Sequence, residues 1–528
     1  MQSIASSQLV WWSWGFMFLY ISGMLLFGYL GQKRVRNADD FATARGSYGP
    51  AFLAFAFAAT TASGGTFIGL PGLAYDYGLA SVWILFLYPI GVYLGVLICM
   101  RLVARSGNSF GSRTIPEYLG DRYQSNVLRL IVAIFSLMLF FYLAGQLVSC
   151  VVMFDTMLGL SPVWAIIITC GVLMVYVMAG GAHADILTDG FQGVLMIALA
   201  LMVFVLFLIG FGVESGLLGV MSNLKQQNPN FVKWLNPETP LISSWWSVFA
   251  LFAATLPLGL LPHTGNKLWA LKSPDQRIRF FILVFTMGLI LPAIGLGGLL
   301  ARALFGDDLN LNGLGGNQAI PALFVELFPT WVAALLGMGV LSAVMSTADG
   351  LVVSSSQVIA NDLYRRTLAR RWHADWSDSQ LEAMTLKISR WATFATLLIS
   401  ALLAWIFLHK NVVLLIWFGL GGMMAALAGP LLLGTLWRGV TAAGAIAGFI
   451  IGGLSFIILH GKLINPEWFT FSAPLKSVID WLHYQGPNPY SCATIGQIIG
   501  ILVTVFVSLF TTKLPQAHIE RIFGTTET

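Results

Sequence analysis

The chain has 528 residues, of which 57% are hydrophobic and only 10% are charged. Soluble domains carry about 25% charged residues, so this composition excludes a soluble globular protein and predicts an integral membrane protein. The net charge of +5 does not indicate nucleic-acid binding, because the basic residues fall in short loops, where they set membrane orientation.

Apolar runs of about 20 residues recur along the chain and predict about thirteen spanning helices. We expect the spans near 9–30, 49–76, 79–103, 128–155, 162–180, 186–213, 244–262, 279–304, 331–360, 387–408, 412–436, 439–460 and 493–512.

Basic residues are concentrated in alternate loops. They are Lys33, Arg34, Arg36 and Arg45 after the first span, Arg105, Arg113 and Arg122 after the third, Lys267, Lys272, Arg277 and Arg279 after the seventh, Arg365, Arg366, Arg370 and Arg371 after the ninth, and Arg438 after the eleventh. The loops near 214–243, 305–330 and 461–492 hold few bases for their length. The positive-inside rule therefore predicts a multi-pass protein of the plasma (inner) membrane, with its N-terminus outside and its C-terminus in the cytoplasm.

The stretch from Ala56 to Gly72 lies inside a predicted span but is rich in residues that weaken a helix. Gly64 and Gly65 are adjacent, and Pro71 follows within two turns. In lipid an interrupted helix needs partners for its freed amides and carbonyls, and transporters use such breaks to hold substrate and ions. Tight helix packing through small residues explains this stretch equally well when it is taken alone.

A second interrupted span runs from Phe252 to Gly265 and contains Pro257 and Pro262. Five predicted spans separate the starts of the two interrupted segments, and an odd number turns the second half upside down in the membrane. Matching breaks in two halves are typical of inverted-repeat transporters, whose binding site lies between the breaks.

Seven short motifs follow one another across about residues 10–450. They are Asp39-Asp40-Phe41 with Ala44-Arg45-Gly46, Phe67-Ile68-Gly69-Leu70-Pro71-Gly72, Thr114-Ile115-Pro116-Glu117-Tyr118-Leu119 with Asp121-Arg122-Tyr123, Gly180-Gly181 with Thr188-Asp189 and Gln192, Pro262-His263, Ser342-Ala343-Val344-Met345-Ser346-Thr347-Ala348-Asp349, and Gly429-Pro430 with Gly434, Trp437 and Arg438. In this order they resemble the sodium/solute symporter family, which includes sodium/proline, sodium/pantothenate, sodium/sialic acid and sodium/glucose transporters. A match to one such motif is weak evidence for the family, whereas seven matches in the right order are specific.

The resemblance implies an all-α membrane fold of the leucine-transporter type, with two inverted five-helix repeats, one helix before them and two after. The chain then divides into a first helix and cytoplasmic loop (1–48), a first repeat (49–213), an extracellular loop (214–243), a second repeat (244–436) and two C-terminal helices with a short tail (437–528). The resemblance also implies symport of a small organic solute into the cell, with sodium as the coupling ion. The expected partners are the solute and the lipid bilayer, with no nucleic acid and no obligate protein partner.

Ser346 and Thr347 are adjacent, so both hydroxyls can approach one ion. The commoner fate of such a pair is to bond to carbonyls of its own helix. The resemblance implies that the carbonyls of Ala59 and Ala62, together with Ala343, Ser346 and Thr347, form a sodium site.

The substrate is expected between the two breaks. Its candidate ligands are Thr60, Thr61, Ser63, Gly64, Gly65, Gln146, His263 and Trp417. For His263, a role as a gate or a capped loop histidine is favoured over substrate binding. The sodium/proline branch carries Asp where this chain has Thr61, so proline is a less favoured cargo. The runs 67–79 (FIGLPGLAYDYGL) and 180–193 (GGAHADILTDGFQG) look closer to the pantothenate and organic-acid branches.

Asp189 and Asp349 lie within or at the edge of spans, where an ionisable side chain predicts function. Asp189 could instead complement a helix N-terminus, and Asp349 could already lie in an aqueous vestibule. Some family members hold a further sodium near these positions, but they carry Ser where this chain has Asp349 and Gly350. We therefore predict an ion exit path that passes both carboxylates, and not a tight second site.

Three other functions compete with sodium symport. A membrane sensor with a kinase region would need more chain than the tail after Lys513 provides. A membrane enzyme is not favoured, because the sequence has no HExxH, no GxSxG and no cluster of His and Asp ligands. The strongest competitor is a proton-coupled carrier of the same fold that uses Asp189 and Asp349.

Overall fold

The computed structural model describes residues 6–239, 241–311 and 315–524, and this part of the chain is almost entirely helical. In the first half the α-helices are α1 (Ser7–Gln32), α2 (Ala38–Thr43), α3 (Pro50–Thr61), α4 (Leu70–Tyr77), α5 (Val82–Phe110), α6 (Ile115–Arg122), α7 (Asn126–Ser136), α8 (Leu139–Leu158), α9 (Pro162–Ile209) and α10 (Gly216–Gln227). Within the described ranges, extended pairing is limited to one parallel bridge between Tyr48 and Leu271.

The second half is built in the same way. Its α-helices are α11 (Trp245–Thr255), α12 (Pro262–Gly265), α13 (Arg277–Ile290), α14 (Leu296–Phe305), α15 (Asp308–Leu311), α16 (Ala319–Leu327), α17 (Thr330–Gln357), α18 (Ala369–Trp372), α19 (Asp378–Ile406), α20 (Val412–Leu427), α21 (Gly434–Leu436), α22 (Ala442–His460), α23 (Ala473–Gln485), α24 (Pro489–Phe510) and α25 (Gln516–Phe523). In the part of the chain that the structure describes, three π-helical segments extend or interrupt long helices: Gly65–Gly69, Val358–Leu368 and Ala428–Leu433. The 3₁₀ segments are Gly78–Ser81, Pro229–Val232, Leu258–Leu260, Asn266–Ala270, Pro274–Gln276, Leu291–Gly295, Gly316–Gln318 and Pro466–Phe469.

The predicted all-α membrane fold is confirmed. Among the described residues, 10 helical stretches are long and apolar enough to cross a membrane, and an eleventh is formed if Trp245–Leu260 and Pro262–Ala270, bent by 49°, make one span. The predicted count of thirteen is higher partly because α9, which is 48 residues long, contains two of the predicted spans. At 1.5 Å per residue, α9 would be about 72 Å long, more than twice a hydrocarbon core of about 30 Å.

A kink at Gly181 divides α9. Its backbone has φ 49° and ψ −135°, a conformation that costs a residue with a side chain much more than it costs glycine. A Cβ atom there would also lie 2.5 Å from the carbonyl oxygen of Phe41. The kink falls between the predicted spans 162–180 and 186–213, and it starts a second helical arm that carries Asp185 and Asp189.

Ion pairs and hydrogen bonds join the base-rich loops at one end of the bundle, which we call the basic end. Arg45 pairs with Asp39 at 2.8 Å and donates to the carbonyl of Ser112. Arg113 and Arg365 both pair with Glu382, at 2.8 and 3.2 Å. The loops that follow the first, third and ninth predicted spans therefore lie on the same side of the protein.

The loops with few bases meet at the opposite end. The indole of Trp83 donates to the carbonyl of Trp234, and the guanidinium of Arg302 donates to Gln227 at 2.8 Å. The indole of Trp246 donates to Ser491, which joins the first turn of α11 to the start of α24. These contacts join the segment 214–243 to the start of α5 and the end of α14, and the start of α11 to the start of α24.

Candidate functional site

The first break begins where α3 ends. Ala62 has φ −95° and ψ 81°, and helical structure resumes as the π-helix that starts at Gly65. The side chain of Gln146 accepts a hydrogen bond from the backbone amide of Gly64 at 2.8 Å, and the carbonyl of Ser63 accepts from Thr66 at 2.8 Å. These partners satisfy amides that the break removes from the helix, as backbone at membrane depth requires.

The second break lies between α11 and Asn266–Ala270. Leu261 is extended, with φ −61° and ψ 158°, and Pro262 starts the single turn of α12. The hydroxyl of Thr264 bonds to the carbonyl of Leu258 at 3.1 Å across the break. Both interrupted spans predicted from sequence are therefore interrupted in the structure.

Backbone and hydroxyl oxygens meet where α3 approaches α17. The hydroxyl of Ser346 lies 3.0 Å from the carbonyl oxygens of both Ala59 and Ala343. The hydroxyl of Thr347 lies 2.9 Å from the carbonyl oxygen of Thr60. All five residues are buried. Four of the five predicted sodium ligands thus take part in these hydrogen bonds. The fifth, Ala62, directly follows the end of α3, and its amide donates to the carbonyl of Ala58 at 3.0 Å.

These groups suit a sodium ion. Carbonyl and hydroxyl oxygens without fixed charge can replace the water around a monovalent cation, and freed carbonyls at a broken helix commonly do so in transporters. Because the hydroxyls of Ser346 and Thr347 can rotate, each can turn its lone pairs toward an ion and its hydrogen elsewhere.

A buried charged cluster lies beside these oxygens, and it contains the ammonium group of Lys267. The lysine nitrogen is 2.5 Å from Asp189, 2.9 Å from Asp185 and 2.5 Å from the hydroxyl of Thr60. One oxygen from each of Asp185, Asp189 and Asp349 lies within 4.8 Å of the other two. The side chain of Lys267 is only 4% exposed.

Lys267 corrects one sequence-based interpretation, which counted it among the loop bases after the seventh span. The 3₁₀ segment Asn266–Ala270 carries it back into the protein interior after the second break. The sequence held a usable signal in Asp185 and Asp189, which are four residues apart and therefore on one face of a helix. Two buried carboxylates on one face require a cation or protons, but the sequence did not indicate that a lysine supplies the charge.

The carboxylate of Asp349 is held by neutral donors. The hydroxyls of Tyr176 and Thr188 each donate to it at 3.0 Å, and the backbone amide of Gly350 donates at 2.9 Å. Asp189 and Asp349, which were predicted to mark an exit path, thus lie in one cluster but have different partners.

A separate small cavity lies beside the first break. Its walls come from α4, α5, α8, α20 and α24 as well as the break, and the lining residues are Ser63, Gly65, Thr66, Leu70, Ile84, Tyr88, Tyr142, Val413, Ile416, Trp417, Leu420 and Tyr490. The rings of Trp417 and Tyr490 meet edge to face, with centroids 4.1 Å apart. Of the predicted substrate ligands, Ser63, Gly65 and Trp417 lie on this cavity.

The other five substrate candidates lie elsewhere. Thr60 belongs to the charged cluster, and the hydroxyl of Thr61 is 2.9 Å from that of Tyr93. Gln146 and Gly64 bond to each other at the break. His263 lines a second cavity together with Asp185 and Lys267, and its ring lies edge-on to Tyr142, with centroids 5.4 Å apart.

Tyr88 and Tyr490 were not predicted as site residues. Tyr88 donates to the carbonyl of Thr61 at 2.8 Å and so contacts both the break and the cavity. Tyr490 lies on α24, beyond the second predicted repeat. Neither tyrosine is part of a recognisable local motif, because each reaches the cavity through tertiary packing.

The chain is similar to known proteins over most of its length. The family model described as "Sodium:solute symporter family" matches residues 41–452. The sodium/pantothenate symporter of Haemophilus influenzae is 27% identical over 467 residues, covering 87% of this chain and 92% of that protein. The sodium/proline symporter of Salmonella typhimurium is 30% identical over 457 residues, covering 83% of this chain and 86% of that protein.

A solved structure of a Na⁺-coupled sialic acid symporter in a substrate-bound outward-open state has the same fold. It superposes with a TM-score of 0.72 at 20% sequence identity, and the match covers 96% of this chain and 99% of that one. Family members are transporters and not enzymes. Because the family model covers most of the chain, the protein belongs to the sodium:solute symporter family.

Proposed function

We propose that this chain is a sodium-coupled symporter that carries a small organic solute into the cell by alternating access. The observation that carries the proposal is the contact of the broken α3 with Ser346 and Thr347 of α17, at 3.0 and 2.9 Å from its carbonyl oxygens. In the proposed site, sodium takes oxygens from Ala59, Ala62, Ala343, Ser346 and Thr347. An ion there would bridge the first repeat to the second, so that its arrival and departure would change how the repeats pack.

Sodium and solute would be coupled through the first break. Ala59 lies on the proposed ion site and Ser63, one turn later, lies on the cavity wall. An ion that orders the end of α3 would also fix Ser63 and the π-helix that begins at Gly65. Bound sodium would therefore strengthen solute binding. By linkage, bound solute must then strengthen sodium binding by the same factor.

The cavity suits a small solute with an apolar body and few polar groups. Among the described residues that line it, none is acidic or basic, and the polar groups include the hydroxyls of Ser63, Tyr88 and Tyr490. A helix N-terminus carries partial positive charge, so the helical segment that resumes at Gly65 can favour a carboxylate without a basic side chain. We therefore infer an organic acid or a pantothenate-like solute.

Uptake into liposomes that contain the purified protein tests this inference. Labelled pantothenate, proline and a panel of small carboxylic acids are offered under an inward sodium gradient, with empty liposomes as the blank. We expect uptake of pantothenate or another carboxylate above that of proline. Uptake of proline alone, or of neutral and cationic solutes only, would contradict the proposed solute class.

We also propose that the basic end faces the cytoplasm, with the N-terminus outside and the protein in the plasma membrane. The proposal is supported by the grouping of Arg45, Arg113 and Arg365 on one side of the bundle, at loops joined by ion pairs to Asp39 and Glu382. In this orientation the second cavity and the charged cluster lie between the sodium site and the cytoplasm, where Asp189 and Asp349 would line the ion's exit.

A further inference from the structure

We propose that the ammonium group of Lys267 acts as a tethered cation among Asp185, Asp189 and Asp349, so that the chain binds a single sodium ion and cannot hold a second one in this cluster. The inference rests on the proposed sodium-coupled function and extends it to the number of coupling ions. It is carried by the position of the lysine nitrogen and by the saturation of its three hydrogen bonds.

The lysine nitrogen contacts two of the three carboxylates that could together hold an ion. It lies 2.9 Å from Asp185 and 2.5 Å from Asp189, while oxygens of these two carboxylates and of Asp349 lie within 4.8 Å of one another. Three carboxylates this close, buried and without a cation, would repel one another strongly in a medium of low dielectric constant. Lys267 supplies the positive charge from within the chain.

All three donors of the ammonium group are used. A lysine ammonium has three N–H groups, and Asp185, Asp189 and the hydroxyl of Thr60 are its three acceptors. Lys267, Asp189 and Thr60 are each less than 5% exposed, so water does not compete for these contacts. The lysine is therefore a fixed part of the cluster and not a solvent-exposed side chain that happens to lie near it.

Thr60 connects this cluster to the proposed sodium site. Its hydroxyl lies 2.6 Å from Asp189 and 2.5 Å from Lys267, and its backbone carbonyl accepts from Thr347 at 2.9 Å. A substitution that removes the ammonium group of Lys267 would therefore affect both the carboxylates and the end of α3. The tethered cation also joins the two repeats, because Lys267 follows the second break whereas Asp185 and Asp189 lie on α9.

The test counts bound ions on the full-length protein. Radiolabelled sodium binding is measured at saturation for the wild type and for Lys267→Ala, Lys267→Arg and Lys272→Ala, the last being a control in which an exposed lysine of the same loop is removed. We expect about one ion per chain for the wild type, Lys267→Arg and Lys272→Ala, and about two for Lys267→Ala, because the three carboxylates then take a free cation. Lys267→Gln, which is neutral and of similar reach, replaces Lys267→Ala if that variant does not fold, with the same expected result.

Two results would overturn the tethered-cation proposal: about two sodium ions bound to the wild type, or no additional ion in both folded neutral variants. A separate result distinguishes failure of the proposed function. If the wild type binds no sodium, the sodium-coupled function itself is wrong. Adding Ser346→Ala to Lys267→Ala should weaken the binding of one of the two ions by roughly tenfold and leave the affinity for the other unchanged, which assigns each ion to its site.

Discussion

Thr60 is the residue at which the proposed sodium site and the charged cluster touch. Its carbonyl bonds to Thr347, while its hydroxyl contacts Asp189 and Lys267. From sequence, Thr60 was a candidate substrate ligand because it lies in the broken span. The structure directs its side chain to the carboxylates, since successive residues of a helix point in directions about 100° apart.

At this scale we predict that Ser346→Ala and Thr347→Ala each raise the sodium concentration for half-maximal uptake by roughly tenfold. A hydrogen bond or ligand contact to a charged group contributes about 1.5–3 kcal/mol, and 1.4 kcal/mol corresponds to a factor of ten. Sodium-dependent uptake at fixed solute concentration measures the effect.

The matched control is Ser356→Ala. Ser356 lies on the same helix, is equally buried, and bonds to the carbonyl of Val353 within its own helix. It should leave the apparent sodium affinity unchanged. If Ser346→Ala and Thr347→Ala behave like this control, the proposed sodium ligands are wrong.

At the scale of elements, the first break forms one wall of the cavity, and its glycines allow close approach. A Cβ atom at Gly65 would lie 3.0 Å from Ile416 on the facing helix. We predict that Gly65→Trp abolishes uptake while the protein still inserts and folds, because the indole would fill the space between the break and α20.

Gly15→Trp is the control for this substitution. Gly15 lies on the exposed face of α1, and a Cβ atom there meets no atom within 4 Å. Uptake by this variant should equal that of the wild type. Normal uptake by Gly65→Trp would mean that the glycine serves helix packing and that the solute binds elsewhere.

At the basic end, Glu117 fastens α6 to the π-helical end of α17. Its buried carboxylate accepts from Asn361 at 2.7 Å and from Arg366 at 2.6 Å. We predict that Glu117→Ala lowers the free energy of unfolding by on the order of 3 kcal/mol, because it leaves partly buried donors without their acceptor. Denaturant unfolding in detergent measures the loss.

Glu382→Ala provides the comparison. Glu382 also pairs with two arginines, but its side chain is 28% exposed. Its loss should cost about 1 kcal/mol or less, as for surface ion pairs. Equal costs for the two substitutions would contradict a fastening role for Glu117.

At the scale of the whole molecule, the order of spans and the positions of both breaks could be predicted from sequence. The signals for them are local in the chain: the length of each apolar run, the glycines at 64 and 65, and the prolines at 257 and 262. Each of these features changes the backbone only near its own position. Lys267 could not be placed correctly, because its burial depends on a 3₁₀ turn that follows the second break. The cavity tyrosines Tyr88 and Tyr490 were missed for a related reason, since they are brought together from distant helices.

The predicted orientation is tested by reporter fusions at Gly46, Asn230 and Arg371. Gly46 and Arg371 belong to base-rich loops, and Asn230 belongs to a loop with few bases. We expect the reporters to read cytoplasmic, external and cytoplasmic, in that order. An external reading at Arg371 would contradict the predicted topology and the proposed direction of the ion's exit.

The central claim is that sodium drives transport, and the most direct measurement is uptake into protein-containing liposomes with the driving ion changed at fixed pH. An inward sodium gradient should drive solute accumulation, and replacing sodium by choline should abolish it, with or without an inward proton gradient. Accumulation in choline driven by the proton gradient would contradict the account and favour a proton-coupled carrier that uses Asp189 and Asp349.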